Sequence, residues 1–216
     1  MTHTRTVPDE VSFERAWQRL AGWLAIHSPA DHAALRPGAT GEQIADLERG
    51  LGFRLHPQIR ALLSRHNGVT DPRPEYGPDF FPAGSFLPLG HRLLDTDRIL
   101  TRHRSFAKIF KNDECDPTDR DEQPLYAHAH LWVPLALPND GGVLFMDHCP
   151  GPTYGRIYEM GVGSGDIGGS LWATDLTNLV TSVAASLETG QPFRYFAPKT
   201  LHHASGRHRI HWRVLT

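Results

Sequence analysis

Asp147, His148 and Cys149 stand in succession where the apolar run Val143–Met146 ends. Carboxylate, imidazole and thiol are the groups that ligate metals or activate a nucleophile. Successive residues on an extended chain point to opposite faces, so His148 is badly placed as a general base for Cys149. The other thiol, Cys115, lies among Asp113, Glu114 and Asp116, whose charges disfavour the reactive thiolate. His128 and His130 alternate with alanine, and a strand there would turn both imidazoles to one face as paired zinc ligands. Together with Asp147 and Cys149 they make the donor set of a metal-dependent hydrolase. Trp132 continues the same face, however, and neither Cys-x-x-Cys nor His-Glu-x-x-His is present. Asp140 and Asp147 flank one strand and lie too far apart along it to cooperate as a carboxylate pair. The 14 histidines include His202, His203, His208 and His211 in the tail, where composition alone accounts for them.

Two further patterns carry possible chemistry. Gly163, Gly165 and Gly168 match the dinucleotide fingerprint, with Glu188 at the right distance, but no helix opens inside the motif and too little chain follows for a βαβ unit. The acidic run 112–122 lacks the glycine at the sixth position of a calcium loop. It reads as an exposed loop, or as a docking surface for a basic partner through Asp113, Glu114, Asp116, Asp119, Asp121 and Glu122. The tail 191–216 is its opposite, with no acidic residue and Arg194, Lys199, Arg207, Arg209 and Arg213. Its alternation around Ile210, Trp212 and Val214 predicts an extra strand added to the sheet, with contact to an anionic partner as the other option. The sequence therefore predicts no catalytic residue, no resident metal and no cofactor.

These side chains need elements to hold them. Phe13, Trp17, Leu20 and Leu24 share one face of a helix over 9–27. Residues 28–39 read as a connection. Thr40 and Gln43 form a capping box, Ile44, Leu47 and Leu51 supply a buried stripe, and Gly52 ends that helix. Pro57 opens a third helix, which Asn67-Gly68 stops. Residues 69–88 are a proline- and aromatic-rich insertion that cannot be regular helix and covers the core. Asp95 and Asp97 start a helix running to about residue 110. Strands are predicted over 125–137, 142–148 and 155–160, with an Asp140-Gly141-Gly142 hairpin turn between the first two. Gly161 to Gly169 reads as a turn, and 174–189 as an amphipathic helix closed by Gly190. Asp147 reads as a strand-end residue that ties down the Pro150-Gly151 turn.

At 216 residues with 39% hydrophobic and 21% charged content, the chain can bury a substantial core. A net charge of −2 gives no overall pull toward nucleic acid or membrane. No apolar run reaches the length of a membrane span, MTHTRTVPDE has no secretory h-region, and two cysteines build no disulfide framework. A cytoplasmic location is the resulting expectation.

Element order carries the strongest signal. The series GATGEQIADLERGLGFRLHPQIRALLSRHNG, then FLPLGHRLLDTDRI, then LWVPLALPNDGGVLFMDHCPG, then a strand, a glycine turn and a helix ending in LETG resembles the SUKH superfamily. That group holds fungal cell-wall assembly regulators and bacterial toxin-immunity proteins. The match rests on Gly52, Pro57, Asn67, Gly68, Trp132, Asp140, Gly141, Gly142 and Asp147. It covers about residues 13–190, with the insertion at 69–88 and the extension 191–216 as departures. The resemblance implies an α+β fold, a mainly antiparallel sheet flanked by N-terminal helices and a C-terminal helix, without a catalytic centre. It implies a protein partner, such as a toxin domain that an immunity protein neutralises. A regulator or scaffold of cell-envelope assembly is the alternative.

Overall fold

A computed structural model describes residues 7–70, 82–110, 125–138, 141–161, 166–202 and 208–215. Helix α1 (Val7–His27) buries Phe13, Trp17, Leu20 and Leu24 against α6 (Leu176–Thr189). The predicted connection 28–39 contains a short helix, α2 (Pro29–Ala33), started by its proline. Helix α3 (Gly41–Leu51) opens on the capping box: the Gln43 amide donates to Thr40 Oγ1 (3.2 Å) and the Thr40 amide to Gln43 Oε1 (2.9 Å). It closes on Gly52 at φ 85°, and α4 (Pro57–Arg65) follows. Gln58 on α4 is fully buried and pins the start of α6, accepting from the Leu176 amide (2.9 Å) and donating to Thr177 Oγ1 (3.0 Å).

Asn67 and Gly68 do more than stop a helix, which has already ended at Arg65. Asn67 donates its amide to the Pro37 carbonyl and accepts the Thr96 amide on Oδ1 at 2.9 Å. It thereby fastens α5 (Thr96–Ile109) to the segment before α3. Gly68 sits at φ 73°, and a Cβ there would lie 2.5 Å from the Asp95 nitrogen. Replacing Asn67 with alanine strands a buried amide at the start of α5. We expect a loss of about 1–3 kcal/mol in urea unfolding, with the m-value unchanged.

The sheet is antiparallel, in the order β1 (Arg92–Leu93), β2 (Trp132–Leu137), β3 (Val143–Asp147), β4 (Ile157–Gly161), β5 (Asp166–Ala173). β3 is central, and all five of its residues are buried. Pleating sends Leu144 and Met146, with Val133 and Leu135, toward the helices α1, α3, α4 and α6. Val143 and Phe145 face the other way, with Trp132, Tyr158 and Met160, and form a second apolar cluster under Phe106 of α5. The fold is α+β.

Three expectations are corrected. Residues Leu125–Leu131 form a 3₁₀ helix, not a strand. The β2–β3 ladder closes at Trp132↔Asp147 and the chain turns away at 148–151, so β3 has no residues left to pair with them. Asp166 already opens β5 within the predicted Gly161–Gly169 turn, because backbone pairing with β4 does not require the side chains that glycine lacks. Among the described residues the tail adds no strand to the main sheet. Its β6 (Phe196–His202) and β7 (His208–Val214) pair with each other as a separate ribbon. Trp212 Nε1 donates to the Phe86 carbonyl (2.9 Å), so the ribbon packs on the described end of the insertion. Buried Asp31 of α2 strengthens that corner by accepting from Ser28 and the Gly84 amide. Among the described residues no helix is long and apolar enough to cross a membrane.

Candidate functional site

The end of β3 meets the α3–α4 connection. His148, 5% exposed, accepts the His56 amide on Nε2 (3.0 Å) and places Nδ1 against the Met146 carbonyl (3.3 Å). That pattern puts the ring proton on Nδ1 and leaves no lone pair for a substrate. Burial drives the His148 pKa down to about 4, with help from His56 and His103 and against the Met146 carbonyl. Rings surround it: Phe53 at 5.3 Å, Tyr154 at 5.8 Å and His56 at 6.5 Å. His103 packs edge-on to Phe53 and holds the Trp132 carbonyl through Nδ1 at 2.8 Å. Asp147 is 1% exposed and accepts the Cys149 amide on Oδ1 at 2.9 Å. Burial raises its pKa, an effect partly offset by the Cys149 amide, Thr153, His128 and Arg156.

On the outer side of Phe53 lies an open cleft of about 430 Å³, lined by Ala45, Glu48, Arg49, Gly52, Phe53 and Arg54. Glu48 anchors it. Its buried carboxylate accepts from the Leu55 amide (3.1 Å), Arg54 Nη1 (2.9 Å) and Arg60 Nη1 (2.5 Å). Those donors outweigh the burial that opposes ionisation and hold its pKa below the usual range. Glu48→Gln should cost about 1–2 kcal/mol at pH 7, a modest figure because both arginines reach solvent. A lowered carboxylate pKa stabilises above the unfolded value, so this cost should shrink as pH falls below about 4 in chemical unfolding.

Arg54 and Arg49 are exposed, and Tyr154 is 45% exposed beside His56. Arginine and tyrosine around a partly buried aromatic make the composition enriched at protein interfaces. A model of the SMI1 / KNR4 family (SUKH-1) matches residues 38–189. The chain belongs to that family. It is also similar to the cell wall assembly regulator SMI1 of Saccharomyces cerevisiae, 22% identical over 183 residues. That alignment takes in 68% of this chain and 35% of SMI1, so the chain spans about a third of that relative's length.

Within this SUKH-1 framework the sequence-derived residues separate cleanly. Gly52 and Pro57 shape the α3–α4 connection, Asn67 and Gly68 hold α5, and Trp132 and Asp147 face each other across the β2–β3 ladder. Gly141 takes φ 94° in the hairpin, and a Cβ on Gly142 would meet the Met160 carbonyl at 2.8 Å. Asp140 lies outside the described residues, as do Gly163, Gly165 and the acidic residues Asp113, Glu114, Asp116, Asp119, Asp121 and Glu122. The hydrolase set is not assembled. His128 and His130 ride the 3₁₀ helix, and among the described residues no three His, Cys, Asp or Glu side chains are placed to hold a metal. Sequence reasoning missed Phe53, Arg54 and Tyr154 as a surface. Phe53 is visible in the sequence only inside the series that ends α3 and opens α4, and Tyr154 carries no signal beyond following Pro150-Gly151.

Proposed function

We propose that this SUKH-1 chain is a non-catalytic protein-binding module acting as an immunity protein that occupies a toxin domain. One observation supports the non-catalytic part: among the described residues, the groups at the end of β3 and on α3 that could do chemistry are spent on the fold. His148 is bound on both ring nitrogens, Asp147 caps the Cys149 amide, and Glu48 is shared among three donors. The partner-facing part rests on the Arg49–Phe53–Arg54–Tyr154 surface. The similarity to a cell wall assembly regulator favours a second reading, a scaffold in envelope assembly. Both readings need a protein partner, and the identity of that partner separates them.

The test is affinity capture from the native host, then titration calorimetry with the captured protein. Tyr154→Ala combined with Arg54→Ala should weaken binding by about tenfold or more while the chain stays folded, its melting temperature lowered only by the lost ring packing on His56 and the lost Glu48 contact. Affinity unchanged by that pair would show that the partner binds elsewhere. A toxin as partner supports immunity, and an envelope-assembly protein supports the scaffold.

A further inference from the structure

The β6–β7 ribbon has two unlike faces. Phe196, Ile210 and Trp212 are buried on the inner one. The cross-strand pairs Ala197↔Arg213, Lys199↔His211 and Leu201↔Arg209 share the outer one. By register Lys199 thus has three cationic or titratable neighbours, His211 directly opposite and Arg209 and Arg213 on the diagonals, with the Arg209 Nε buried and its charge also acting on Asp31. Lys199 and Arg213 are exposed and make no ion pair among the described residues. The charge is segregated along the chain. Residues 191–216 hold five Lys and Arg and no acid, which leaves 17 Lys and Arg against 24 Asp and Glu in the first 190 residues.

We propose that this outer face docks an acidic, extended stretch of a protein partner. The inference rests on the protein-binding reading and supplies the chemistry of a second contact surface. Alternate residues of an extended peptide lie about 7 Å apart, the spacing of side chains along each ribbon strand, so a carboxylate at every second position meets the cation cluster in register. Leu201, 38% exposed, and Ala197 break the basic face with apolar surface, which suits a peptide better than a phosphate backbone. The net −7 on the first 190 residues repels a long polyanion but tolerates a short acidic segment.

The probe is a fluorescein-labelled peptide of about 12 alternating Glu and Thr residues, followed by anisotropy at about 50 mM salt. The full chain should bind it. K199E/R213E should weaken binding roughly tenfold, and K199Q/R213Q by a smaller factor in the same direction. The control pair R15E/R102E, on exposed positions of α1 and α5, should leave affinity within about twofold. Circular dichroism and melting of each variant establish that it is folded. Equal peptide binding by wild type and K199E/R213E overturns the proposal. Tighter binding of a ~20-base-pair duplex DNA through the same two residues overturns it in favour of nucleic acid. Host capture separates the two levels. A partner held equally by wild type and K199E/R213E sinks the ribbon alone, whereas capture of no partner sinks the protein-binding reading itself.

Discussion

Trp132→Ala should destabilise the protein by about 3–5 kcal/mol, on the order of 10 °C in melting temperature for a chain of this size. Trp132 is 1% exposed and stacks on Phe145 at 4.0 Å between ring centroids, with Phe110 at 5.6 Å and Phe106 at 6.3 Å. It is the largest side chain of the second core, the layer between the sheet and the end of α5. Truncation removes its buried area and leaves a cavity that three aromatic rings cannot close by small shifts. Trp132→Phe should cost far less, about 1–2 kcal/mol, because the indole Nε1 has no hydrogen-bond partner among the described residues and its removal relieves a buried polar atom. Urea unfolding of the two variants checks both numbers. A loss below about 1 kcal/mol for the alanine variant would mean that this layer is not a packed core.

The second large effect is on pH dependence. His148 falls from 6.5 to about 4 on folding, so between those values the unfolded chain binds the proton and the native chain does not. Stability then rises with pH across the window and is lost as pH falls from about 6.5 to 4, by roughly 3 kcal/mol. His66, His103 and His130 are shifted down by burial and act in the same direction. Asp31 and Asp147, raised by burial, act oppositely, stabilising the native state as pH falls through their range. Comparing wild type with His148→Gln isolates the one contribution. The variant should start less stable at pH 7, having lost its ring contacts, and show a flatter profile between pH 6.5 and 4. Parallel profiles would show that His148 is not the buried neutral group described.

Much of the fold was legible because local rules and tertiary packing agree. The Thr40–Gln43 capping box, Gly52 as a left-handed cap, Pro57 at a first turn and the α6 stripe all sit where periodicity and capping place them. Legibility failed where long-range pairing decided the outcome. Tyr126, His128 and His130 alternate like a strand, but only the reach of β3 determines where β2 begins. The glycines before Leu171 carry no pattern, so β5 is visible only through its partner β4. The tail's alternation was correctly strand-like, yet nothing local says whether Ile210 and Trp212 face a sheet or a helix corner. At the site, the Asp147-His148-Cys149 triplet has the residue types of a reactive centre. Its geometry shows a network that closes the core, with Phe53 half-buried and Arg54 and Tyr154 exposed one layer outward.

Intact-mass spectrometry on the purified, untagged chain mixed with its host-captured partner, combined with metal analysis, decides whether the chain binds its partner without catalysis. The expected result is a saturable one-to-one complex, no mass change in either protein, and zinc well below one per chain. Covalent modification or cleavage of the partner at catalytic amounts of this chain, or stoichiometric zinc lost together with His128 or Asp147, would contradict it.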